Sequence, residues 1–88
     1  MTNEEQVLDK MENTVYLAIG YLNSRDNWVY FGMAEDLATS LGITIDKPLI
    51  EKLAERMNAN PQQTLFCGQV TKRNGEWSLK VINPNGRD

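Results

Sequence analysis

Cys67 is the single thiol in this 88-residue sequence and its most obvious candidate nucleophile or redox group. A reactive cysteine needs a neighbour that lowers its pKa, and histidine, the common choice, is absent from the chain. A lone cysteine within an alternating strand pattern is more often a small core residue. We therefore interpret Cys67 as a packing residue.

Other catalytic arrangements are also missing from the sequence. Glu35 and Asp36 are adjacent carboxylates, but adjacent residues on a helix point in different directions and do not share a substrate. There is no glycine-rich phosphate loop and no nucleophile paired with a base. With one cysteine and no histidine, the usual ligands of a zinc site are lacking. The sequence predicts a protein that is not an enzyme and uses neither cofactor nor metal.

The bulk composition is that of a single globular domain. Hydrophobic residues make up 41% and charged residues 24% of the chain, which is unlike a disordered protein. The acidic N-terminus lacks the positive start and apolar run of a signal peptide, and no apolar stretch is long enough to span a membrane. We expect one cytoplasmic domain over residues 1–82, a polar C-terminal tail over 83–88, and no membrane contact.

Charge is distributed unevenly along the chain, whose net charge is −3. By sequence count, residues 1–26 have a charge of −3, residues 27–60 of −2, and residues 61–88 of +2. Many of the acids in the first segment lie near the start of a predicted helix, where the helix dipole favours them. The C-terminal third is thus where a negatively charged partner would be attracted.

Three helices are predicted in the first two thirds of the chain. Thr2 and Glu5 have the spacing of a capping box, and the apolar stripe that follows has the helical period. Gly42 occupies a left-handed position that ends the second helix, and Asp46 caps the third, with Pro48 tolerated in its first turn. The predicted helices cover residues 2–23, 33–41 and 47–57.

Strand patterns occupy the remainder. Residues 28–31 are β-branched or aromatic and predict a short strand or an extended link between helices. If Val29 and Phe31 belong to the core, Trp28 and Tyr30 face outward. Between residues 64 and 82 the period becomes two, and Asn74-Gly75 supplies the turn of a β-hairpin. Pairing outward from that turn sets three pairs on an apolar face, Lys72 with Trp77, Val70 with Leu79 and Gly68 with Val81, while Ser78 and Lys80 face solvent. The tail after the hairpin is expected to fray.

This order of elements, together with one motif, resembles the winged helix-turn-helix domain. Residues 37–43 read Leu-Ala-Thr-Ser-Leu-Gly-Ile, which is similar to the Leu-Ala-x-x-Leu-Gly-Ile pattern of bacterial winged-helix regulators. In that pattern the alanine permits close helix packing and the glycine makes the turn. The fold class implied is α+β, a winged helix with three helices, a short strand and a C-terminal hairpin wing.

The resemblance implies that the third helix enters the major groove of duplex DNA and that the hairpin touches phosphates beside it. The implied protein is a small transcriptional regulator. On that reading the candidate DNA contacts are Thr44, Lys47, Lys52 and Arg56 near the third helix, and Lys72, Arg73, Asn74 and Lys80 on the wing.

The sequence also supports a second interpretation, an acidic protein-interaction module that does not bind DNA. The pI of about 4.9 lacks the basic footprint of a DNA-binding domain. Asp46, Glu51 and Glu55 offset the basic residues of the third helix. In this alternative, outward-facing Trp28 and Tyr30 bind a partner protein. A homodimer through the long first helix is a further option that the resemblance leaves open.

Overall fold

The fold was obtained as a computed structural model that describes residues 2–87. It is an α+β fold of three helices and one three-stranded antiparallel sheet, which confirms the predicted class. The elements in chain order are α1 (Asn3–Leu22), β1 (Asp26–Tyr30), α2 (Gly32–Ser40), α3 (Lys47–Asn58), β2 (Phe66–Arg73) and β3 (Glu76–Ile82). The strand order is β1-β3-β2, so the last strand lies between the other two.

Helix boundaries follow the capping residues expected from the sequence. The Thr2 hydroxyl accepts a hydrogen bond from the backbone N–H of Glu5 at 3.1 Å, and the Asp46 carboxylate accepts one from Leu49 at 3.2 Å. Each replaces a bond that the first turn cannot make internally. Gly42 has a φ of +71°, the left-handed conformation predicted for it.

The core lies between the helices and one face of the sheet. It is built from the apolar stripes of α1 and α3, whose spacing puts them on one side of each helix. Val29 and Phe31 are buried as predicted, and Cys67 is buried beneath α3. The largest fully buried side chains are Met11, Ile50, Leu53, Met57 and Leu79.

The hairpin has the predicted turn but a different register beyond it. Asn74 and Gly75 have φ values of 53° and 82°, as a tight hairpin turn requires. A β-bulge between Cys67 and Val70 sets Cys67, rather than Gly68, opposite Val81. The predicted pairing of Gly68 with Val81 is therefore wrong, because strict alternation does not anticipate an extra residue in one strand.

Asn58, at the end of α3, anchors the bulged strand. Its side-chain amide donates to the Cys67 carbonyl at 2.6 Å, and its side-chain oxygen accepts from the Cys67 N–H at 2.9 Å. Both backbone groups of Cys67 are thereby satisfied by one side chain. The bonds fix the distance between α3 and β2 at the point where regular pairing with β3 is interrupted.

The C-terminal segment is ordered against the start of β1 as far as Arg87. The Arg25 N–H donates to the Arg87 carbonyl and the Arg87 N–H donates to the Asn23 carbonyl, each at 3.0 Å. Asn83 donates to the Arg25 carbonyl at 2.7 Å. The segment is polar as expected, but these bonds contradict the expectation that it frays over residues 83–87.

Candidate nucleic-acid interface

The basic residues of α3 are engaged within the protein. Lys52 forms an ion pair with Glu4, and Arg56 forms one with Asp9. The Arg56 Nε atom also lies 3.5 Å from a carboxylate oxygen of Glu12. Three acids of α1 thus neutralise two of the side chains expected to contact DNA.

The other expected contacts beside α3 are separated from one another. Thr44 lies in the loop before the helix, in a shallow cleft that also contains Glu4 and Lys52. Lys47 lies on the other side of the helix, in a groove of about 400 Å³ between α3 and β2 that Glu51 and Glu55 also line. Because Lys52 and Arg56 are paired, Lys47 is the one remaining cation of α3. Glu51 and Glu55 line the same groove as Lys47.

A different cluster of cations forms on the sheet. Trp28 lies directly opposite Lys80, and Arg73 lies opposite Glu76 in the hairpin, so the register places all four on the outer face of the sheet. The Arg73 guanidinium carbon is 4.6 Å from the centroid of the Trp28 ring. The Lys80 ammonium is 5.8 Å from the same centroid. One indole therefore holds two cations in close proximity.

The hairpin tip adds a third cation on the opposite face. The Lys72 ammonium lies 5.5 Å from the centroid of Trp77, its cross-strand partner. Trp77 is half-buried and packs against the edge of the core, as predicted. Asn74 is exposed between the two strands and has left-handed backbone geometry. Of the side chains predicted on the wing, Arg73 and Lys80 therefore meet at Trp28 on the outer face, whereas Lys72 lies on the opposite face and Asn74 lies in the turn.

The sheet cations differ from those of α3 in their pairing. Among residues 2–87, no carboxylate oxygen lies within 4.0 Å of a side-chain nitrogen of Lys72, Arg73 or Lys80. Aromatic rings, which do not cancel the charge, position these side chains instead. The positive charge counted in the C-terminal third is thus available to a ligand.

Ser78 shows how closely the outer face is covered. The sequence pattern places it toward solvent, yet the side chain is 0% exposed. Ser78 lies on β3, opposite Tyr30 on β1 and Thr71 on β2. The Arg73 side chain crosses β3 to reach the Trp28 ring on β1. Its hydroxyl donates to the Thr71 carbonyl at 3.0 Å. The prediction that Ser78 faces water is wrong because long neighbouring side chains cover it.

Tyr30 belongs to a separate surface. It lines an apolar groove of about 520 Å³ between the C-terminal half of α1 and the start of α2, together with Thr14, Leu17, Ala18, Tyr21, Gly32 and Met33. No binding role was predicted from the sequence for Leu17, Tyr21 or Met33. The signal in the sequence was that each of the three is hydrophobic although it lies outside the apolar stripe that faces the core. Trp28 and Tyr30, predicted to form one outward surface, therefore contribute to two.

Cys67 has the environment of an unreactive thiol. Burial, with a smaller contribution from the negative charge of Glu12, raises its pKa from an ordinary value of 9.0 to about 11. Its sulfur lies 3.9 Å from the sulfur of Met57 in the core. The thiolate is therefore scarce at neutral pH.

Within residues 2–87, no group of three or more His, Cys, Asp or Glu side chains is arranged to hold a metal ion. Over the same range no helix is both long enough and apolar enough to cross a bilayer. Comparison of the chain with known protein families, with curated proteins and with solved structures found no match.

Proposed function

We propose that this protein is a winged-helix DNA-binding domain whose sheet and wing, rather than its third helix, provide the phosphate contacts. The order of three helices, a short strand and a C-terminal hairpin supports the winged-helix assignment. The Leu-Ala-x-x-Leu-Gly-Ile sequence at the α2 turn agrees with it. The proposed role is that of a small transcriptional regulator.

The observation that carries this proposal is that the cations of α3 are paired with carboxylates, whereas those of the sheet are stacked on an aromatic ring. Lys52 and Arg56 on α3 are in ion pairs with α1. Arg73 and Lys80 are stacked on Trp28 and keep their full charge. Counterion release from DNA requires cations that the protein has not already neutralised. The cations of the sheet are therefore better suited than those of α3 to bind phosphate.

This arrangement favours backbone contacts over base readout. Phosphate contacts position a protein on the duplex but do not carry sequence information by themselves. Glu51 and Glu55 on the exposed side of α3 would repel a duplex whose major groove received that helix. We expect modest sequence preference and a strong dependence on salt concentration.

The test is fluorescence anisotropy with a short labelled duplex, titrated between about 50 and 200 mM salt. Arg73→Ala and Lys80→Ala should each weaken binding and reduce the slope of log affinity against log salt by about 0.9. Lys52→Ala is the matched control, since it removes a cation that already has a carboxylate partner, and it should leave affinity and slope unchanged. Circular dichroism checks that each variant is folded.

Two results would reject the proposal. One is no binding of the folded wild-type protein at the lowest salt concentration. The other is an equal loss of affinity for Lys52→Ala and Arg73→Ala, since that would place the contact surface across α3 as well.

A second candidate function, protein–protein interaction, is favoured by the groove that contains Tyr30. Its lining is apolar apart from three hydroxyl groups, and such surfaces are typical of protein contacts. The net charge of −3 agrees with a partner other than nucleic acid. A folded protein that fails to bind duplex DNA but binds a protein through Tyr30 would establish this candidate in place of the first.

A further inference from the structure

Phe66, the first residue of β2, places an exposed aromatic ring on the outer face of the sheet. It pairs with Ile82, which lies two residues along β3 from Lys80, and residues two apart on a strand point to the same face. Phe66 is 60% exposed. Its Cε1 atom lies 3.6 Å from the position that a Cβ atom on Gly68 would take. The ring therefore rests against β2 and leaves much of its surface in water.

Phe66 shares this face with the two cations that stack on Trp28. Lys80 lies directly opposite Trp28, and the Arg73 guanidinium reaches the same ring from β2. Phe66 and Trp28 lie on the two strands that flank β3, so their backbones are about two strand spacings apart, roughly 10 Å. No carboxylate of residues 2–87 pairs with Arg73 or Lys80. The face thus combines aromatic rings with cations that keep their charge.

The acidic residues of the outer face lie at its two ends. Asp26 lies opposite Ile82 at one end, and Glu76 lies opposite Arg73 beside the hairpin turn. Between these ends, β3 contributes Lys80 and the buried, uncharged Ser78. A ligand that crosses the middle of the face therefore meets positive charge and aromatic rings.

We infer that the outer face of the sheet binds single-stranded DNA, with a base stacked on Phe66 and the adjoining phosphates held by Arg73 and Lys80. A duplex keeps its base faces inside its own stack, so an exposed phenylalanine ring gains no partner from it. An unpaired strand offers both base faces and phosphates, and a positive surface with aromatic rings is the usual means of binding one. The inference rests on the proposed function, because it uses the same two cations, and it extends that function to DNA whose strands have separated.

The test is fluorescence anisotropy with a labelled oligothymidylate of about ten nucleotides and, separately, with a duplex of the same length. Phe66→Leu keeps the apolar bulk but removes the ring, so it should weaken binding of the single strand by about tenfold. It should leave duplex affinity unchanged, and also the slope of log affinity against log salt, because Phe66 carries no charge. Arg73→Ala should reduce that slope by about 0.7 for the single strand.

Two further variants serve as controls for the ring. Tyr21→Leu is the matched control, because Tyr21 is also aromatic and is 90% exposed but lies on α1, away from the outer face. It should leave the affinity for the single strand unchanged. Phe66→Trp keeps an aromatic ring and should bind the single strand at least as tightly as the wild type. Circular dichroism checks that each variant is folded.

An oligonucleotide of the same length without bases separates stacking from charge, and it should bind at least about tenfold more weakly than oligothymidylate. Equal binding of the baseless strand, or unchanged affinity of Phe66→Leu for oligothymidylate, overturns the inference. So does tighter binding of oligouridylate, which would assign the face to RNA, since the inferred contacts include none to a 2′-hydroxyl. Duplex binding without single-strand binding overturns this inference alone. Single-strand binding without duplex binding supports it and rejects the duplex proposal.

Discussion

The guanidinium of Arg73 lies 4.6 Å from the centroid of the Trp28 ring, although the two residues belong to strands that do not pair directly. The intervening strand contributes Lys80, whose ammonium is 5.8 Å from the same ring. The indole thus stabilises two neighbouring cations that would otherwise repel each other. Loss of Trp28 should release both side chains and spread their charge.

The energy of the Arg73–Trp28 contact can be measured with a double-mutant cycle of Arg73→Ala and Trp28→Leu. The expected coupling is about 0.5–1 kcal/mol, the value for a cation–π pair that is partly solvated. Urea denaturation at neutral pH gives the free energies of unfolding. A cycle of Arg56→Ala with Trp28→Leu is the control, because Arg56 pairs with α1 acids and should be additive with Trp28. Additivity in both cycles would show that the stacking of Arg73 on Trp28 contributes nothing to the free energy of unfolding.

Cys67 should make the fold sensitive to alkaline pH. The folded protein raises the pKa of the thiol from 9.0 to about 11, so it binds this proton more tightly than the unfolded chain does. The resulting contribution to the free energy of unfolding is complete below pH 9.0 and is lost as pH rises through about 11. Tyr16, whose pKa is also raised by burial and by Glu12, acts in the same direction.

Cys67→Ala removes the thiol and, with it, the smallest of the three causes that raise the pKa of Tyr16, which are burial, Glu12 and Cys67. Chemical denaturation at intervals from neutral to alkaline pH should show a smaller loss of stability for this variant than for the wild type. Thiol labelling of the folded wild type should also be slow at neutral pH and become fast in denaturant. Rapid labelling of the folded protein would contradict the buried environment.

Gly86 should be essential for docking of the C-terminal segment. A Cβ atom at this position would overlap the Ser24 carbonyl and lie 2.7 Å from the Arg25 nitrogen, both of which are backbone atoms that cannot turn aside. Gly86→Ala should therefore destabilise the fold by about 1–3 kcal/mol, the usual cost of forced overpacking. Thermal unfolding and amide exchange at Arg25 and Arg87 provide the measurements.

Gly20→Ala is the matched control for this substitution. A Cβ at Gly20 meets nothing within 4 Å, and the residue lies inside α1. Alanine there should stabilise the protein by roughly 0.5–1 kcal/mol, because glycine loses more backbone entropy in a helix. Equal destabilisation by both substitutions would mean that the contact of Gly86 with residues 24 and 25 is unimportant.

Local features of the fold were predictable because local chemistry decides them. Thr2 and Asp46 cap helices through bonds to residues three positions away, and Gly42 and the Asn74-Gly75 turn require positive φ whatever surrounds them. The burial of Val29 and Phe31 follows from alternation along residues 28–31, whereas Cys67 faces the core because of the β-bulge between Cys67 and Val70. Of the wing residues, Lys72 and Arg73 are close because they are neighbours in the chain, whereas Arg73 and Lys80 meet at the ring of Trp28 on β1.

Contacts between distant segments were decided by tertiary structure alone. The ion pairs of Lys52 and Arg56 join residues nearly fifty positions apart, and nothing in either helix specifies its partner on the other. The Asn58 bonds, the β-bulge and the covering of Ser78 by side chains of the two flanking strands depend equally on how the elements pack. The sequence by itself determined the elements and where positive charge is concentrated along the chain. Only packing decided which cations are neutralised and which remain available, because pairing depends on distances that the order of residues does not contain.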